Sequence, residues 1–422
     1  MIKERLNRLP ERIRSIIHTV SDYADKEGLG VYLVGGMVRD ILLGKENYDL
    51  DFVVEGDAIR FAESISEILD ARTIKHQHFG TATSVLPNKQ KIDFATARSE
   101  YYEAPGELPI VKAGTIEDDL FRRDFSINAM AIQINKKYFG RLLDFYGGQK
   151  ALRKKYVCVL HNLSFLDDPT RILRAVRFEQ RFGFKIEPQS LLLIKQARRL
   201  RITNMVTKHR LRDEIILILQ EKNPIKVLRR LEKIYGLTFI QPRIRINKKT
   251  INSFRKIQDT VSWFYKNNPK KRMIDSWLMY LSCLVEHLPE KELKRFLADF
   301  AFGHGQEKRI FSYKKSPALL KILNKDLAPS RIFRILEPLS YEVVLLLYAK
   351  ANSKTVKKNT ERFFKLYNGT KLFISGDDLN KLGLAPGPRF KKLLDMALKA
   401  KLDGRLTTKL DEINFIKRKI SA

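Results

Sequence analysis

The sequence predicts an α+β protein, with a mixed β-sheet and helices over residues 1–150 and an almost entirely helical remainder. Segments with strand character, among them VYLVGG and KIDFAT, occur before Gly148. Beyond Gly148, apolar residues recur at helical spacing over long stretches that glycines and prolines interrupt. The 422 residues suffice for about two to four domains, because one hydrophobic core seldom serves so long a chain.

The first 150 residues alternate helical and strand patterns. Residues 2–27 predict an amphipathic helix, and Val38 to Leu43 predicts a short helix between the strands in VYLVGG and DLDFVVEG. Ala58 to Leu69 predicts another helix, and further strands are expected in TATSVL, KIDFAT, AMAIQI and LLDFYGG. The segment Glu100 to Thr115 has two prolines and two glycines with little periodicity, so we expect a mobile loop there.

The helical remainder divides at its breaks into three further domains. After a head over residues 1–150, we expect a neck over residues 151–220, a body over residues 221–340 and a tail over residues 341–422. The apolar runs are far too short to span a bilayer, and the N-terminus lacks the apolar core of a signal peptide. We therefore expect a cytoplasmic protein without membrane contact. Cys158 and Cys283 are too few for a disulfide framework, so we expect reduced core residues.

Charge is distributed unevenly along the chain. The formal net charge is +32, yet residues 1–150 carry 21 Lys and Arg against 23 Asp and Glu, so residues 151–422 have a net charge of +34. A slightly acidic segment suits bound metal cations, whereas a large basic surplus attracts a polyanion through counterion release. The alternative is a solvated basic face, as in many proteins of thermophiles.

A pair of carboxylates lies in the second predicted strand. Asp49 and Asp51 are two residues apart, so the strand period places both on one face. Two magnesium ions would relieve their repulsion, and Gly35-Gly36 at the start of the preceding helix would let the backbone approach a phosphate. Alone, the carboxylates could be a solvated pair and the glycines a turn. Together they predict a site that holds a metal-bound triphosphate.

The segment LVGGMVRDILLGKENYDLDFVVEG resembles the signature of the class II tRNA nucleotidyltransferases, relatives of bacterial poly(A) polymerases in the DNA-polymerase-β-like superfamily. Further motifs follow in the family's order: RRDFSINAMA, DFYGG, DDPTRILRAVRF and, more weakly, RLRDE. The resemblance covers residues 31–220, about half of the chain. It implies a polymerase-β-like head followed by an all-α neck, body and tail.

The resemblance also implies roles for individual residues. Asp49 and Asp51 would bind two Mg²⁺ ions, and Asp93 in KIDFAT would add a third catalytic carboxylate. Asp168 and Arg171 would form an amino-acid template that reads the base edge, with Arg174 and Arg177 supporting it or touching phosphate. The other nucleotide-binding residues implied are Gly35, Gly36, Arg39, Arg123, Asp124 and Asn128. Without the neighbouring motifs, the Arg and Asp residues would be interpreted as ion-pair clusters.

Hydrogen-bond chemistry supports such a template. Cytosine and adenine both present an amino donor beside a ring-nitrogen acceptor, so one carboxylate and one guanidinium can pair with either base. Uracil and guanine present a carbonyl beside an N–H, which leaves buried groups unpaired. CTP and ATP should therefore be accepted, and UTP and GTP rejected.

Two features near the motifs bear on this expectation. Many family members have Glu where this chain has Asp167, and Pro169 follows the template carboxylate, so we expect a helix that begins at Asp168 with Pro169 in its first position. The loop that carries Arg98 and Glu100 looks intact. In this family such a loop is thought to help the site change from CTP to ATP, which favours addition of the final A.

The basic surplus of the body and tail predicts an RNA-binding surface that grips phosphates rather than reads sequence. LGLAPGPRFKKLL places Arg389, Lys391 and Lys392 at the start of a helix, where they could contact phosphate. The same pattern also describes a plain helix start.

These observations together predict an enzyme that adds CMP and AMP from CTP and ATP to the 3′ end of tRNA and releases pyrophosphate. The alternatives are an enzyme that adds only the A, a poly(A) polymerase, and a non-catalytic RNA-binding protein on a decayed head. The last would lack a carboxylate or template residue, and none is missing from the sequence. No protein partner is evident.

Overall fold

The computed structural model describes residues 2–101, 103, 107, 109–268 and 271–421. The chain forms two compact units, Met1–Pro242 and Arg243–Ala422. Residues 221–242, expected at the start of the body, thus belong to the first unit. The division into head, neck, body and tail at residues 150, 220 and 340 stays a prediction.

The first unit contains a mixed sheet. Among the described residues it has seven strands in the order β3-β4-β5-β2-β1-β8-β9, and β2 pairs with β5 in parallel while the other neighbours are antiparallel. The strands of the unit are β1 Gly30–Val34, β2 Leu50–Glu55, β3 Arg72–His76, β4 Thr81–Val85, β5 Lys91–Thr96, β6 Arg98–Tyr101, β7 Ile110–Ala113, β8 Ala131–Gln133, β9 Arg141–Leu143, β10 Tyr156–Val157 and β11 Lys185–Ile186.

Helices cover the sheet and continue beyond it. They are α1 Ile2–Asn7, α2 Glu11–Lys26, α3 Gly35–Leu43, α4 Ala58–Ile68, α5 Ile116–Phe121, α6 Gly148–Lys154, α7 Ser164–Asp167, α8 Thr170–Phe182, α9 Pro188–Arg199, α10 Lys208–Leu219 and α11 Pro224–Ile234. Asp57 caps the N-terminus of α4, and its carboxylate accepts the N–H groups of Ile59 and Arg60. Its Phe61 lies against Phe94 of β5, which fixes the helix on the apolar face of the sheet.

The described residues of the second unit form helices and connections without strands, with a π-helical turn over Phe363–Tyr367. Its helices are α12 Lys248–Asn267, α13 Ser276–Val285, α14 Glu290–Asp299, α15 His304–Lys315, α16 Pro317–Leu323, α17 Pro329–Leu336, α18 Tyr341–Lys350, α19 Lys354–Arg362, α20 Gly376–Lys381, α21 Pro388–Leu402 and α22 Lys409–Ile420. Helix α13 is apolar on all sides and buried from Trp277 to Val285, because it lies at the centre of the bundle. No helix among the described residues is both long and apolar enough to cross a bilayer.

The α+β expectation is confirmed, with differences in detail. The N-terminal helix is broken by Pro10, which lacks the N–H that a continuous helix requires. Strand β3 was not predicted, and β10 and β11 form a small parallel pair in the neck, which was expected to be entirely helical. Cys158 is half-buried and Cys283 buried, and both are free thiols.

The predicted mobile loop over residues 100–115 is wrong at both ends. Strand β6 pairs with β7 in an antiparallel ribbon, with Tyr101 opposite Ile110. Prolines and glycines between the two strands concealed a short pairing that sequence periodicity does not report. Residues 102, 104–106 and 108 of that loop lie outside the described residues.

Candidate active site

A cavity of about 800 Å³ in the first unit collects most of the predicted site residues. It lies among residues of α3, β2, α8 and α10 and the connection after α5. The predicted residues that line it are Gly35, Gly36, Arg39, Asp49, Asp51, Arg123, Asp124, Asn128, Asp168, Arg171, Arg174 and Arg177. Motifs separated by more than a hundred residues in sequence therefore meet at one polar site.

Two carboxylates lie side by side across the sheet. Asp51 of β2 pairs in register with Asp93 of the parallel neighbour β5, and Asp49 immediately precedes β2. Burial, and then the negative charges of Asp93 and Asp49, raise the pKa of Asp51 to about 6, although Arg123 opposes the shift. Close carboxylates of this kind are the oxygen ligands that a divalent cation prefers. No set of three or more His, Cys, Asp or Glu side chains among the described residues is arranged to hold a metal.

The first residue of the glycine pair, Gly35, lies close to the carboxylate of Asp51. Gly35 has a φ of +70°, and a Cβ there would be 3.2 Å from Nη1 of Arg123 and 3.7 Å from Oδ2 of Asp51. A side chain would therefore be strained and would crowd the space beside the carboxylate. Gly36 is the second residue of α3, so its backbone belongs to a helix N-terminus, which attracts anions.

Arg39 projects from α3 into the same cavity and is held by its neighbours. Its guanidinium donates to both oxygens of Asp40 at 2.9 Å and to Oδ1 of Asn128 at 2.7 Å. The ring of Phe182 lies 4.6 Å from the guanidinium carbon. Arg39 and Asn128, predicted from different motifs, are thus direct partners.

A buried carboxylate fixes the two arginines of the RRD motif. Asp119 of α5 is inaccessible to solvent, and its oxygens accept from Arg122 at 2.7 Å and from Arg123 at 2.8 Å. Arg122 also donates to Glu100, which pairs with Arg98 on β6. Asp119 was not predicted from the sequence. Its spacing of three and four residues to the two arginines could have indicated the contact, because side chains at this spacing on a helix lie side by side.

A second network joins the RRD motif to the neck. Oδ2 of Asp124 accepts from Nε and Nη2 of Arg174, and Oδ1 of Asp124 accepts from Asn128 at 2.9 Å. Burial would raise the pKa of Asp124, but the charge of Arg174 and the hydrogen bonds lower it below its usual range. Glu214 of α10 accepts from Arg174 at 3.1 Å and from Arg177 at 3.2 Å.

The predicted template residues lie at the start of α8. The predicted helix start is wrong by one residue: Pro169 caps α8 instead of opening it, α8 begins at Thr170, and Asp168 is extended. Asp168 Oδ1 accepts from the N–H and hydroxyl of Thr170, at 3.0 and 2.7 Å, and from Arg210 at 2.9 Å. Arg171 is 4 % exposed and donates to the Ser164 hydroxyl and to the carbonyl of Arg122, each at 2.7 Å.

A second cavity, of about 850 Å³, shares Asp49 and Asp51 with the first. Asp93 lines this second cavity rather than the first. Three basic residues that the sequence analysis did not single out also line it: Arg12, Lys89 and Lys91. Arg12 belongs to α2, Lys89 to the connection before β5 and Lys91 to β5 itself, so only the fold brings them together.

The predicted RNA-binding residues lie in the second unit. Arg389, Lys391 and Lys392 are exposed in the first turns of α21, which begins at Pro388. Lys391 and Lys392 line a cavity of about 320 Å³ together with Arg334 and Lys399. Arg389 is not part of that lining.

Comparisons with known proteins agree with this geometry. Residues 31–158 match the model of the poly A polymerase head domain, and residues 183–246 match that of a probable RNA and SrmB-binding site of polymerase A. An A-adding tRNA nucleotidyltransferase of Geobacter sulfurreducens is 36 % identical over 97 % of this chain, which spans 47 % of that relative, about half its length.

Solved structures resemble the chain over nearly its whole length. The apo form II of a CCA-adding enzyme has a TM-score of 0.75 and 34 % identity, with 99 % of this chain and 98 % of the other covered. The CCA-adding enzyme of Thermotoga maritima complexed with tRNA-CCA has a TM-score of 0.69 and 33 % identity, with the same coverage of both chains. The expectation of a polymerase-β-like head followed by helical parts is confirmed. The chain belongs to the class II tRNA nucleotidyltransferase and bacterial poly(A) polymerase family.

Proposed function

We propose that this protein transfers CMP and AMP from CTP and ATP to the 3′ end of tRNA and releases pyrophosphate. One observation carries the proposal: the carboxylates of Asp49 and Asp51 lie on the lining of two cavities at once. Nucleotidyl transfer needs the attacking hydroxyl and the leaving pyrophosphate on opposite sides of the α-phosphate. The sharing of both carboxylates by two cavities supports this arrangement, with the nucleotide in one cavity and the RNA end in the other.

The first cavity suits the nucleoside triphosphate. The start of α3 at Gly35-Gly36, together with Arg39 and Arg123, offers backbone N–H groups and positive charge to the phosphates. Asp124 and Asn128 are held beside Arg39 and Arg174, where they can position the ribose. We assign Arg174 and Arg177 a supporting role, because both donate to protein carboxylates.

Family members use divalent metal ions, and we propose two Mg²⁺ ions for this site. Asp49 and Asp51 would hold them, because both carboxylates line the same cavity and Asp93 lies beside Asp51. The bound ions supply charge neutralisation of the triphosphate and activation of the attacking hydroxyl. Asp93 lies on the acceptor side, beside Asp51.

Asp168 and Arg171 would read the base. Both line the first cavity, and Oδ1 of Asp168 makes both of its side-chain hydrogen bonds to Thr170 and the closest contact of its ion pair with Arg210. Oδ2 of Asp168 can then accept the amino group of cytosine or adenine, while Arg171 donates to the ring nitrogen. Ser164 and Arg122 hold the Arg171 guanidinium in place, which supports a rigid template.

The second cavity suits the RNA terminus. Arg12, Lys89 and Lys91 offer positive charge to the last phosphates of the acceptor strand. In the second unit, residues 243–422 carry 39 Lys and Arg against 17 Asp and Glu, and we propose that Arg389, Lys391 and Lys392 belong to its tRNA-binding surface. The substrates of the proposed reaction are cytoplasmic, so a cytoplasmic location is part of the proposal.

A second candidate is an enzyme that adds only the terminal A. The name of the Geobacter sulfurreducens relative, an A-adding tRNA nucleotidyltransferase, favours it. The ion-paired Arg98 and Glu100 on β6 are compatible with both candidates, since each must accept ATP.

Asp51→Asn tests the proposal, because it removes the charge and keeps the shape of the side chain. We expect nucleotide incorporation to fall by at least about a thousandfold, as metal-ligand loss removes most of the stabilisation of the transition state. Binding of tRNA should be nearly unchanged, since the RNA is held mainly elsewhere. Asp70→Asn is the control, because Asp70 is exposed with a φ of +49° that Asn tolerates. Substantial incorporation by Asp51→Asn would refute the assignment.

A further inference from the structure

The polar face of the sheet carries a row of side chains that crosses four strands. Ile74 of β3 lies opposite Thr83 of β4, Thr83 lies opposite Asp93 of β5, and Asp93 lies opposite Asp51 of β2. Directly opposed residues share a face and are close enough for their side chains to interact. Asp93 is therefore flanked by a hydroxyl on one side and a carboxylate on the other.

The hydroxyl makes a direct contact. Thr83 Oγ1 donates to Oδ1 of Asp93 at 2.5 Å, and this is the one hydrogen bond that the Asp93 side chain makes to the described residues. Thr83 is β-branched and restricted at χ1, so its hydroxyl is a stiff anchor. Oδ2 of Asp93 accepts no hydrogen bond from the part of the chain that the structure describes.

Asp93 needs such an anchor because of its environment. Its side chain is exposed and lines the second cavity, where the structure gives it no basic partner among the described residues. An exposed carboxylate opposite a second carboxylate would rotate away from it, since like charges repel. The bond from Thr83 restrains that rotation.

We propose that Thr83 is a positioning residue for the nucleotidyl transfer reaction. It fixes Oδ1 of Asp93 and thereby directs Oδ2 toward the attacking 3′-hydroxyl in the second cavity. The inference rests on the proposed function, and it adds a residue outside every motif that the sequence analysis identified. A threonine with only a structural role on this strand could be replaced by valine without loss, because both residues are β-branched strand formers.

The test compares variants at Thr83. Thr83→Val removes the hydroxyl and keeps the shape, and we expect kcat for incorporation to fall about tenfold to a hundredfold, as for a misplaced catalytic group. KM for the nucleotide should stay within about twofold, because the nucleotide lies in the other cavity. Thr83→Ser keeps the hydroxyl and should recover most of kcat. Thr81→Val is the control, since Thr81 lies on the same strand and face but opposite Ala95.

A double-mutant cycle shows whether Thr83 acts through Asp93. In an Asp93→Asn background, Thr83→Val should cause little further loss, and a full additional loss would contradict the assignment. Unchanged kcat in Thr83→Val, or equal loss in Thr83→Ser and Thr83→Val, would also overturn it. Wild-type protein in the same assay separates the two hypotheses. An inactive wild type would contradict both the proposed function and the role of Thr83. An active wild type together with a fully active Thr83→Val would contradict only the role of Thr83.

Discussion

Asp124 accepts two hydrogen bonds from Arg174 through a single oxygen, Oδ2, at 2.9 Å from Nε and 2.6 Å from Nη2. The first residue follows α5 in the head and the second belongs to helix α8 of the neck. Both were expected to contact the nucleotide, and the structure pairs them with each other. Their pairing ties the phosphate side of the cavity to the helix that carries the base-reading residues.

Removing Arg174 should therefore cost stability as well as activity. Arg174→Met leaves the Asp124 carboxylate, whose side chain is 10 % exposed, without its cation. Breaking a fully buried pair costs about 3–5 kcal/mol, and the 31 % exposure of Arg174 should bring the loss to about 1–3 kcal/mol. The measurement is the urea dependence of unfolding of the whole chain. Arg60→Met is the control, because Arg60 is 87 % exposed and its ion pair with Asp57, at 4.0 Å, should be worth under about 1 kcal/mol. Equal stability of the two variants would show that the pair does not join head and neck energetically.

Arg171 should govern which bases are accepted. Arg171→Ala removes the donor to the ring nitrogen, so incorporation of CMP and AMP should fall while the relative incorporation of UMP and GMP rises. The four nucleotides are supplied singly to the same tRNA transcript, and the ratios of kcat/KM are compared with those of the wild type. Unchanged ratios of kcat/KM would show that Arg171 does not select the base.

Asp119 should control the position of both RRD arginines. Asp119→Asn weakens the hydrogen bonds to Arg122 and Arg123, and we expect kcat/KM to fall about tenfold or more through misplacement of Arg123. Asp70→Asn again serves as the control for a carboxylate-to-amide change. An unchanged kcat/KM would mean that Arg123 keeps its position without Asp119.

The same variant should change the dependence of stability on pH. Burial would raise the pKa of Asp119, but the charges of Arg123 and Arg122 lower it below its usual value near 4. A lowered pKa contributes stability that is present above the unfolded value and is lost as the pH falls through the folded value. The stability difference between wild type and Asp119→Asn should therefore be constant from pH 7 to about 5 and shrink below about pH 4. A difference that grew on acidification would contradict the ion pairs.

Lys391 and Lys392 should contribute to tRNA affinity through phosphates. The double change of both lysines to Gln should weaken binding and reduce the slope of log affinity against log salt by about 0.7 to 0.9 for each phosphate that the lysines neutralise. Lys321→Gln combined with Lys325→Gln is the matched control, because this double change removes the same charge. Both lysines are exposed, Lys321 near the end of α16 and Lys325 just after it. Equal slopes for the two double variants would show that the loss of tRNA affinity reflects net charge alone and not a phosphate contact of Lys391 or Lys392.

The sequence predicted those parts of the site that lie close together in the chain. Gly35 and Asp51 belong to one strand–helix–strand segment, and Asp49 and Asp51 line the same cavity although Asp49 precedes β2. The α+β division was likewise readable from hydrophobic periodicity. These features depend on local backbone geometry, which neighbouring residues determine.

The remaining contacts depend on the order of strands and helices. Asp93 lies beside Asp51 because β5 pairs with β2 across a crossover, and no local pattern specifies that pairing. The ion pair of Arg210 with Asp168 depends in the same way on the packing of α10 against α8. The break at Pro10 could have been predicted from the missing N–H of proline, whereas the β6–β7 ribbon lacked any hydrophobic alternation.

The most direct test of the account uses three tRNA transcripts, which end before CCA, after the first C and after both Cs. Each is incubated with purified wild-type protein and with CTP, ATP, UTP or GTP alone. We expect CMP addition to the first two transcripts, AMP addition to the third, and negligible UMP or GMP addition to any. AMP addition to the third transcript without CMP addition to the first two would establish the A-adding alternative. Absence of incorporation from CTP and ATP on all three transcripts would contradict the proposed function.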